Sequence, residues 1–291
     1  MTVDCFPVLF NDSLFDMPEL PEVETTKRGI QPHLEGRIIT SLIVRQPKLR
    51  WPIPAELNSY ISNQTILCVS RRGKYIGIHT ATGTVIIHLG MSGSLYLVAA
   101  GTAPLFHDHV DMCLNNGQWL RYTDPRRFGS ILWHENTNDT DWRTHTLLAS
   151  LGPEPLTDEF NADYLIKRAK GKTQAIKTFI MNSKQVVGVG NIYANEALFS
   201  AGINPHTKAG VIKPKQFMLL VECIKTVLSK AIEQGGTTLK DFVGGDGKPG
   251  YFKQSLNVYG RAGEACTTCS STLEETRLGQ RSTVFCPKCQ K

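Results

Sequence analysis

The sequence predicts an α+β protein with an antiparallel β half, then a helical half, then a small cysteine-rich end. Three observations predict this order. Residues 37–134 carry short alternating apolar runs that are separated by turn signals. Residues 160–236 carry apolar residues at helical spacing instead. Residues 263–291 hold four of the eight cysteines.

Length and composition exclude several classes of protein. With 41% hydrophobic and 20% charged residues, the chain is neither a disordered tail nor a coiled coil. Its 291 residues suffice for a buried core and, at about 150 residues each, for about two domains. No apolar run reaches the roughly 18–20 residues of a membrane helix, so we expect no membrane partner.

Charge is distributed unevenly along the chain. The formal net charge is +6, but residues 1–16 carry three aspartates and no lysine or arginine, which leaves +9 on the rest. A basic body favours a polyanionic partner such as nucleic acid, although an ordinary basic protein fits as well. Residues 1–16 lack the features of a signal or transit peptide, and we interpret them as a disordered extension or a wrongly placed start.

The first predicted element is a helix over residues 17–36. Pro21 suits a first helical turn, Glu22 and Glu24 complement the helix dipole there, and Gly36 is a stop signal. Strands follow, with hairpin turns at residues 82–83 and 116–117. The strand-like runs cover residues 37–45, 65–73, 74–81, 83–98, 107–114 and 119–134.

The pattern becomes helical after a proline- and glycine-rich linker, LGPEP, at residues 151–155. A glycine-rich segment that fits a flexible loop follows the last helix, at residues 235–252. The helical patterns cover residues 160–171, 172–183, 191–202 and 213–236.

The C-terminal cysteines form a C-x2-C-x16-C-x2-C pattern. This spacing is typical of a structural zinc site, because two CxxC turns bring four thiolates around one ion. Two disulfides remain the alternative. The four residues are Cys266, Cys269, Cys286 and Cys289.

Several stretches resemble the formamidopyrimidine-DNA glycosylase family, and they occur in the family's order from residue 17 to the C-terminal cysteines. They are MPELPEVET at 17–25, RRGKY at 71–75, IIHLGMSGSL at 86–95, HDHVD at 107–111, RYTDPRRFG at 121–129, LGPEPL at 151–156, VVGVGNIYANEALFSAGI at 186–203, EQGGTTLKDF at 233–242, DGKPGYF at 246–252 and VYGR at 258–261.

The resemblance implies three units. An N-terminal antiparallel β-sandwich with flanking helices spans residues 17–149. A helical DNA-binding domain with a helix–two-turn–helix spans 150–262 and includes a lesion loop at 235–252. A zinc-finger β-hairpin with four cysteine ligands spans 263–291.

The implied activity is that of a bifunctional DNA glycosylase and AP lyase of base excision repair. Such an enzyme excises oxidised purines (8-oxoguanine and formamidopyrimidines) from duplex DNA and cleaves the strand by β,δ-elimination. We expect a cytoplasmic monomer with one structural Zn2+, no redox or nucleotide cofactor, and double-stranded DNA with oxidised bases or abasic sites as its partner.

The resemblance makes Pro18 the nucleophile and Glu19 the acid that protonates the sugar ring oxygen or the leaving base. An N-terminal proline is a secondary amine that forms an iminium, and an α-amino group has a pKa of about 7.7–8 against about 10.4 for lysine. In the chain as written, however, the Pro18 nitrogen is an amide. Translation from Met17 is the reading we favour; removal of the extension and loss of the lyase activity are the others. Glu22 and Glu24 fit the helix dipole alone.

Two further catalytic residues follow from the resemblance. Lys74 corresponds to the proton donor of β-elimination and to a phosphate contact. Arg281 corresponds to the ligand of the phosphate beside the lesion and to the proton donor of δ-elimination, since guanidinium suits bidentate phosphate binding. Arg71 and Arg72 are expected to add contacts to the DNA backbone.

A base extruded from a duplex leaves a gap, which the resemblance assigns to Met91, Arg126 and Phe128. An apolar wedge and an aromatic ring restore stacking, and an arginine pairs with the orphaned base. Core packing is the alternative for Met91 and Phe128, but their glycine-rich surroundings favour loop tips.

HDHVD places His107, His109 and Asp111 on one face of a strand. A metal triad is one interpretation. The resemblance favours the other, in which His107 contacts a DNA phosphate and the remaining two residues support it.

The remaining DNA contacts lie in the helical half. Gly190 and Asn191 would begin a helix whose N–H groups bind phosphate. Lys172 is expected to contact DNA, because the P-loop alternative fails: residue 166 is Ile where that motif needs Gly.

Two other functions fit parts of the sequence. A non-catalytic, zinc-containing protein that binds damaged DNA is the alternative if Pro18 is not a free N-terminus. A glycosylase for oxidised pyrimidines is the other, although the PRRF and GGTTLKDF stretches favour the purine branch.

Overall fold

A computed structural model describes residues 17–136, 141–235 and 256–291. The predicted N-terminal extension and nearly all of the predicted lesion loop lie outside these residues. The α-helices described are α1 (Leu20–Leu34), α2 (Leu57–Ile61), α3 (Ala162–Ala169), α4 (Ile176–Met181), α5 (Asn191–Ser200) and α6 (Pro214–Glu233). The strands described are β1 (Ile39–Val44), β2 (Cys68–Arg72), β3 (Tyr75–His79), β4 (Gly83–His88), β5 (Ser94–Ala99), β6 (Asp108–Leu114), β7 (Gln118–Thr123), β8 (Ser130–Glu135), β9 (Glu274–Leu278) and β10 (Arg281–Phe285).

The N-terminal half is a sandwich of two four-stranded antiparallel sheets. Their strand orders are β1-β6-β7-β5 and β2-β3-β4-β8. Buried apolar side chains from both sheets and from α1 form one core, for example Val110 of β6, Ile76 of β3 and Ile30 of α1. The predicted fold class is confirmed, as is the hairpin turn at 116–117. The turn predicted at 82–83 lies one residue earlier, because Gly83 is already the first residue of β4.

Two of the runs that were predicted as single strands each form two strands, and those two strands belong to different sheets. The run 83–98 divides into β4 and β5, and the run 119–134 divides into β7 and β8. Residues 89–93 and 124–129, hereafter the corner loops, carry the chain from one sheet to the other. They lie side by side because β4 pairs with β8 and β5 pairs with β7.

The helical half packs around α5. Residues 191–198 of this helix are all buried. Side chains of α3, α4 and α6 complete its core, among them Leu165, Phe179 and Leu220. Strand β10 of the β9–β10 hairpin packs against α5. Within the described residues, no helix combines the length and the apolar character that a bilayer span requires.

Candidate active site and nucleic-acid interface

Glu19 lies at the junction of the two halves. Pro18 and Glu19 directly precede α1 and are buried, the latter with 1% of its surface exposed. The Glu19 carboxylate accepts hydrogen bonds from the backbone N–H groups of Gly190 at 2.7 Å, Ile192 at 2.8 Å and Tyr193 at 3.4 Å. A side chain from the start of α1 therefore occupies the N-terminus of α5, where helix N–H groups favour an anion.

This contact corrects one prediction. The N–H groups of Gly190 and Asn191 were expected to bind a DNA phosphate, but that of Gly190, with that of Ile192, binds the Glu19 carboxylate. The Asn191 N–H is not among the groups that Glu19 binds, so the correction applies to Gly190 alone. The glycine allows this approach, since a Cβ at position 190 would lie 2.4 Å from Glu19 Cδ. Gly188, with φ of +82°, likewise leaves room for Leu20, whose Cβ a side chain there would meet at 2.5 Å.

Burial raises the pKa of the Glu19 carboxyl to about 7; the negative charge of Glu22 adds to the shift, and the positive charge of Lys74 opposes it. Lys74 belongs to the two-residue turn between β2 and β3. The site thus places beside Pro18 a carboxyl that gains and loses its proton near neutral pH, with a lysine charge close by. Proton donation is chemistry that such a group performs efficiently.

Glu22 does more than complement a helix dipole. Its carboxylate accepts the Glu19 backbone N–H at 3.0 Å and the Tyr193 hydroxyl at 2.6 Å. It therefore fixes the backbone beside Pro18 to the first turn of α5.

His88 is a residue that the sequence analysis missed. Burial, with the positive charges of Lys74 and Arg50, lowers the pKa of its imidazole to about 4. The ring is therefore neutral at physiological pH, and its Nδ1 accepts the Gly90 N–H at 3.0 Å, which leaves the proton on Nε2. A histidine that ends an otherwise apolar strand shortly before GMSG was the signal in the sequence.

Arg71 and Arg72 point into the protein instead of toward a DNA backbone. Arg71 binds Glu24 at 2.9 Å and Glu154 at 2.8 Å, and Arg72 binds Glu154 at 3.0 Å. Glu154 also accepts the Gly73 N–H at 2.6 Å. The linker carboxylate thus ties the two halves together at the turn that carries Lys74.

Arg281 is the exposed first residue of β10. Hydrogen bonds from two side chains of the helical half hold this strand. Lys177 Nζ donates to the Ser282 carbonyl at 2.7 Å, and Asn195 Oδ1 accepts the Val284 N–H at 3.2 Å. Because Asn195 belongs to α5, one helix positions both the strand of Arg281 and the Glu19 carboxylate.

The two other predicted contacts of the helical half differ in their surroundings. Asn191 is buried, and its Oδ1 has no hydrogen-bond partner among the described residues. A buried polar atom without a partner is what a ligand-binding amide would show. Lys172 is exposed in the connection between α3 and α4, where its carbonyl accepts the Gly210 N–H at 2.9 Å.

The three residues assigned to gap filling come together on the corner loops. Met91 lies on the first loop, and Arg126 and Phe128 lie on the second. Phe128 is 45% exposed, and the Arg126 guanidinium lies 5.0 Å from its ring centroid. The loops touch backbone to backbone, since a Cβ at Gly90 would lie 2.4 Å from the Phe128 carbonyl carbon. Arg126 and Phe128 are exposed and Met91 is half-buried, and none of the three belongs to the buried core of the sandwich.

His107 lies in the turn before β6 and His109 lies in β6, with ring centroids 6.4 Å apart. His109 bonds to the Asp124 carbonyl through Nε2 at 2.8 Å. Asp111 instead forms an ion pair with Arg121 at 2.8 Å. The three do not converge on one point, and within the described ranges the cysteines are the one group of potential ligands that does. The metal triad is therefore rejected.

The four C-terminal thiols fit a zinc ion. Their sulfur atoms all lie within 4.8 Å of one another. Backbone N–H groups of Thr268 and Cys289 point at Cys266 Sγ and Cys286 Sγ, both at 3.4 Å, as suits thiolate ligands. Four thiolates fill a tetrahedral shell, so the zinc that they hold is structural and not catalytic. The described cysteines are free of disulfides.

Comparison with known proteins gives one consistent result. The chain matches the models for the formamidopyrimidine-DNA glycosylase N-terminal domain at residues 17–131, its H2TH domain at 151–243 and the zinc finger found in FPG and IleRS at 263–291. It is 66% identical over 275 residues to formamidopyrimidine-DNA glycosylase of Marinomonas sp., an alignment that covers 94% of this chain and all of the relative.

Solved structures agree. The Lactococcus lactis formamidopyrimidine DNA glycosylase bound to DNA with an AP site has a TM-score of 0.84 and 30% identity, covering 94% of this chain and 99% of that one. The same enzyme bound to DNA with N7-benzyl-Fapy-dG has a TM-score of 0.85 and 32% identity, covering 94% and 100%.

Proposed function

Because the chain belongs to the formamidopyrimidine-DNA glycosylase family, we propose that it removes oxidised purines from duplex DNA and cleaves the strand through an iminium on Pro18. It is a DNA glycosylase of base excision repair with AP lyase activity, and DNA is its partner. The observation that carries the proposed chemistry is the buried Glu19 carboxyl, held on the N-terminus of α5 beside Pro18.

In the first step, the Pro18 nitrogen forms a bond to C1′ of the extruded nucleotide. The bond from C1′ to the base breaks, its electron pair leaves on the base, and the nitrogen loses its proton. The base and the ring oxygen each need a proton: Glu19 gives its proton to one of them, and the proton that the Pro18 nitrogen loses goes to the other. The bond from C1′ to the ring oxygen then breaks, and the nitrogen lone pair forms the iminium.

The iminium makes the C2′ proton acidic; water takes this proton as the phosphate on C3′ leaves, and loss of the C4′ proton to water expels the phosphate on C5′. Water then hydrolyses the iminium, which releases the sugar fragment and frees the Pro18 amine. Lys74 and Arg281 supply protons to these steps and bind the flanking phosphates. Lys74 suits this role because its charge already acts on Glu19 and His88.

This chemistry needs a free amine at Pro18. We propose that the active polypeptide begins there, after translation from Met17 and removal of that methionine. Two findings support the start: the match to the family's N-terminal domain begins at residue 17, and an alignment of 275 residues covers the whole Marinomonas relative.

The proposed organisation places DNA between residues 17–149 and 150–262, with residues 263–291 as the zinc finger. The enzyme works as a monomer in the cytoplasm, at the nucleoid. The proposed DNA contacts are His107, Arg126, Lys172, Asn191, Met91 and Phe128.

A panel of labelled duplexes tests the proposed substrate. Protein that begins at Pro18 is incubated with 8-oxoguanine:C, with a formamidopyrimidine duplex and with thymine glycol:A. Release of the two purine lesions, with phosphate at both ends of the gap, is expected. Faster excision of thymine glycol than of the purine lesions would instead support a glycosylase for oxidised pyrimidines. Binding of the duplexes without cleavage would support a non-catalytic protein that binds damaged DNA.

A further inference from the structure

Asp124 joins the two corner loops. Its side chain is fully buried, at 0% exposure. Oδ1 accepts the Ser92 hydroxyl at 2.7 Å, and Oδ2 accepts the Gly129 N–H at 2.9 Å. Ser92 Oγ in turn accepts the Arg126 N–H at 3.1 Å. The Asp124 carboxylate therefore connects the first corner loop, which carries Met91, to the second corner loop, which begins at Asp124 itself and ends at Gly129.

The same residue reaches the start of β6. Its carbonyl accepts a hydrogen bond from His109 Nε2 at 2.8 Å, and its N–H donates to the His107 carbonyl at 3.1 Å. Asp124 thus connects the gap-filling residues to the proposed phosphate contact at position 107.

The donors around this carboxylate are neutral. They are the hydroxyls of Ser92 and Tyr122 and the N–H of Gly129. Asp111, by contrast, is paired with an arginine on the same sheet. A buried carboxylate whose partners are all neutral makes the fold less stable than an apolar residue at the same position would. The hydrogen bonds by which Asp124 fixes the geometry of the corner loops account for a carboxylate at this position.

We propose that Asp124 is the positioning residue that holds Met91, Arg126 and Phe128 in their mutual arrangement before DNA binds. The inference rests on the proposed function of those three side chains. Because the two corner loops are already ordered before DNA binds, binding does not carry the conformational-entropy cost of ordering them. Asp124 itself touches neither the base nor the sugar.

The proposal has a specific consequence. Arg126 would pair with the orphaned base, so loosening the corner loops weakens discrimination between bases opposite the lesion. An abasic site in single-stranded DNA has no opposite base and no gap to fill. Its cleavage depends on Pro18 and Lys74 and should not respond to Asp124.

The test uses protein that begins at Pro18 and compares Asp124→Asn and Ser92→Ala with Tyr96→Phe. The control removes a hydroxyl that donates to the carboxylate of Asp108 at 3.1 Å, on the same sheet. Single-turnover excision of 8-oxoguanine opposite C and opposite A is measured, together with cleavage of a single-stranded abasic oligonucleotide.

The proposal expects both test variants to lose about 10- to 100-fold on duplexes, with the C-to-A ratio falling toward one. Single-stranded cleavage and the control variant should match the parent protein. An unchanged ratio, or an equal loss on single strands, overturns the proposal. If Asp124→Asn does not fold, Ser92→Ala decides alone. A parent protein that leaves 8-oxoguanine in place defeats the proposed function instead.

Discussion

The contact between Gly190 and Glu19 makes a prediction that separates the two activities. In Gly190→Ala, the new Cβ would lie 2.4 Å from Glu19 Cδ and 2.5 Å from Oε1. Ordinary contact needs about 3.4 Å or more, so the carboxyl must move by about 1 Å. The backbone itself is not strained, since Gly190 has φ of −115°.

The expected loss follows from this displacement. A misplacement of about 1 Å costs on the order of 100-fold in rate, equivalent to about 2.7 kcal/mol of barrier. The move also lengthens the two short bonds to the carboxylate, of 2.7 and 2.8 Å. Bonds to a charged group contribute about 1.5–3 kcal/mol each, so thermal stability falls as well.

The assay measures single-turnover release of 8-oxoguanine and, separately, cleavage of a duplex that already contains an abasic site. The first rate should fall about 100-fold and the second should change little. An abasic sugar has no base to protonate, and it opens to its aldehyde in solution, so its ring oxygen needs no proton from Glu19 either. Gly83→Ala is the control, since its Cβ would meet Trp133 Cζ2 at 2.3 Å, at the end of β4 opposite to His88. It should lose stability, with activity per folded molecule unchanged. Full excision by folded Gly190→Ala would refute the idea that α5 holds the acid.

The remaining predictions concern the acid, the lysine and the zinc site. Glu19→Gln should suppress base removal and retain cleavage of abasic DNA, measured with the same two duplexes. Excision should have a bell-shaped pH profile with its maximum between about 7 and 8, because Glu19 loses its proton as pH rises above about 7 and the Pro18 amine gains one as pH falls below about 7.7–8. The pKa of Glu19 in the folded protein, about 7, lies above its ordinary value of 4.5, so the free energy of unfolding should fall as pH rises between these two values. Melting curves across this pH range should show the fall in the parent protein and not in Glu19→Gln. Lys74→Ala should slow strand cleavage more than base release, as gels that separate the two products would show. Cys286→Ser should release zinc and weaken DNA binding, measured by metal content and fluorescence anisotropy, whereas Cys223→Ser should do neither.

Local sequence patterns predicted where the helices, strands and turns lie better than they predicted which strands pair with one another. The hairpin turns near residue 82 and at 116–117 and the zinc site of the four cysteines could be predicted from local residue types and their spacing alone. The division of residues 83–98 and 119–134 between two sheets did not follow, because alternation tells which face a residue occupies and not which sheet its strand joins. The pairing of β4 with β8 joins residues about fifty positions apart.

The site shows the same limit. Its residues were assigned by resemblance, but their partners come from distant parts of the chain. Glu19 and Gly190 are 171 residues apart, and Arg71 and Glu154 are 83 apart. Each glutamate looks locally like a helix or linker carboxylate. Only packing of the two halves turns one into a buried acid and the other into the anchor of two arginines.

The central claim is that the Pro18 amine attacks the sugar, and reductive trapping tests it most directly. Protein expressed from its native message is incubated with an 8-oxoguanine:C duplex and borohydride, and its intact mass is measured. The account predicts a covalent DNA adduct on a polypeptide that begins at Pro18. An adduct on another residue, or none on a chain that begins at Pro18, would contradict it.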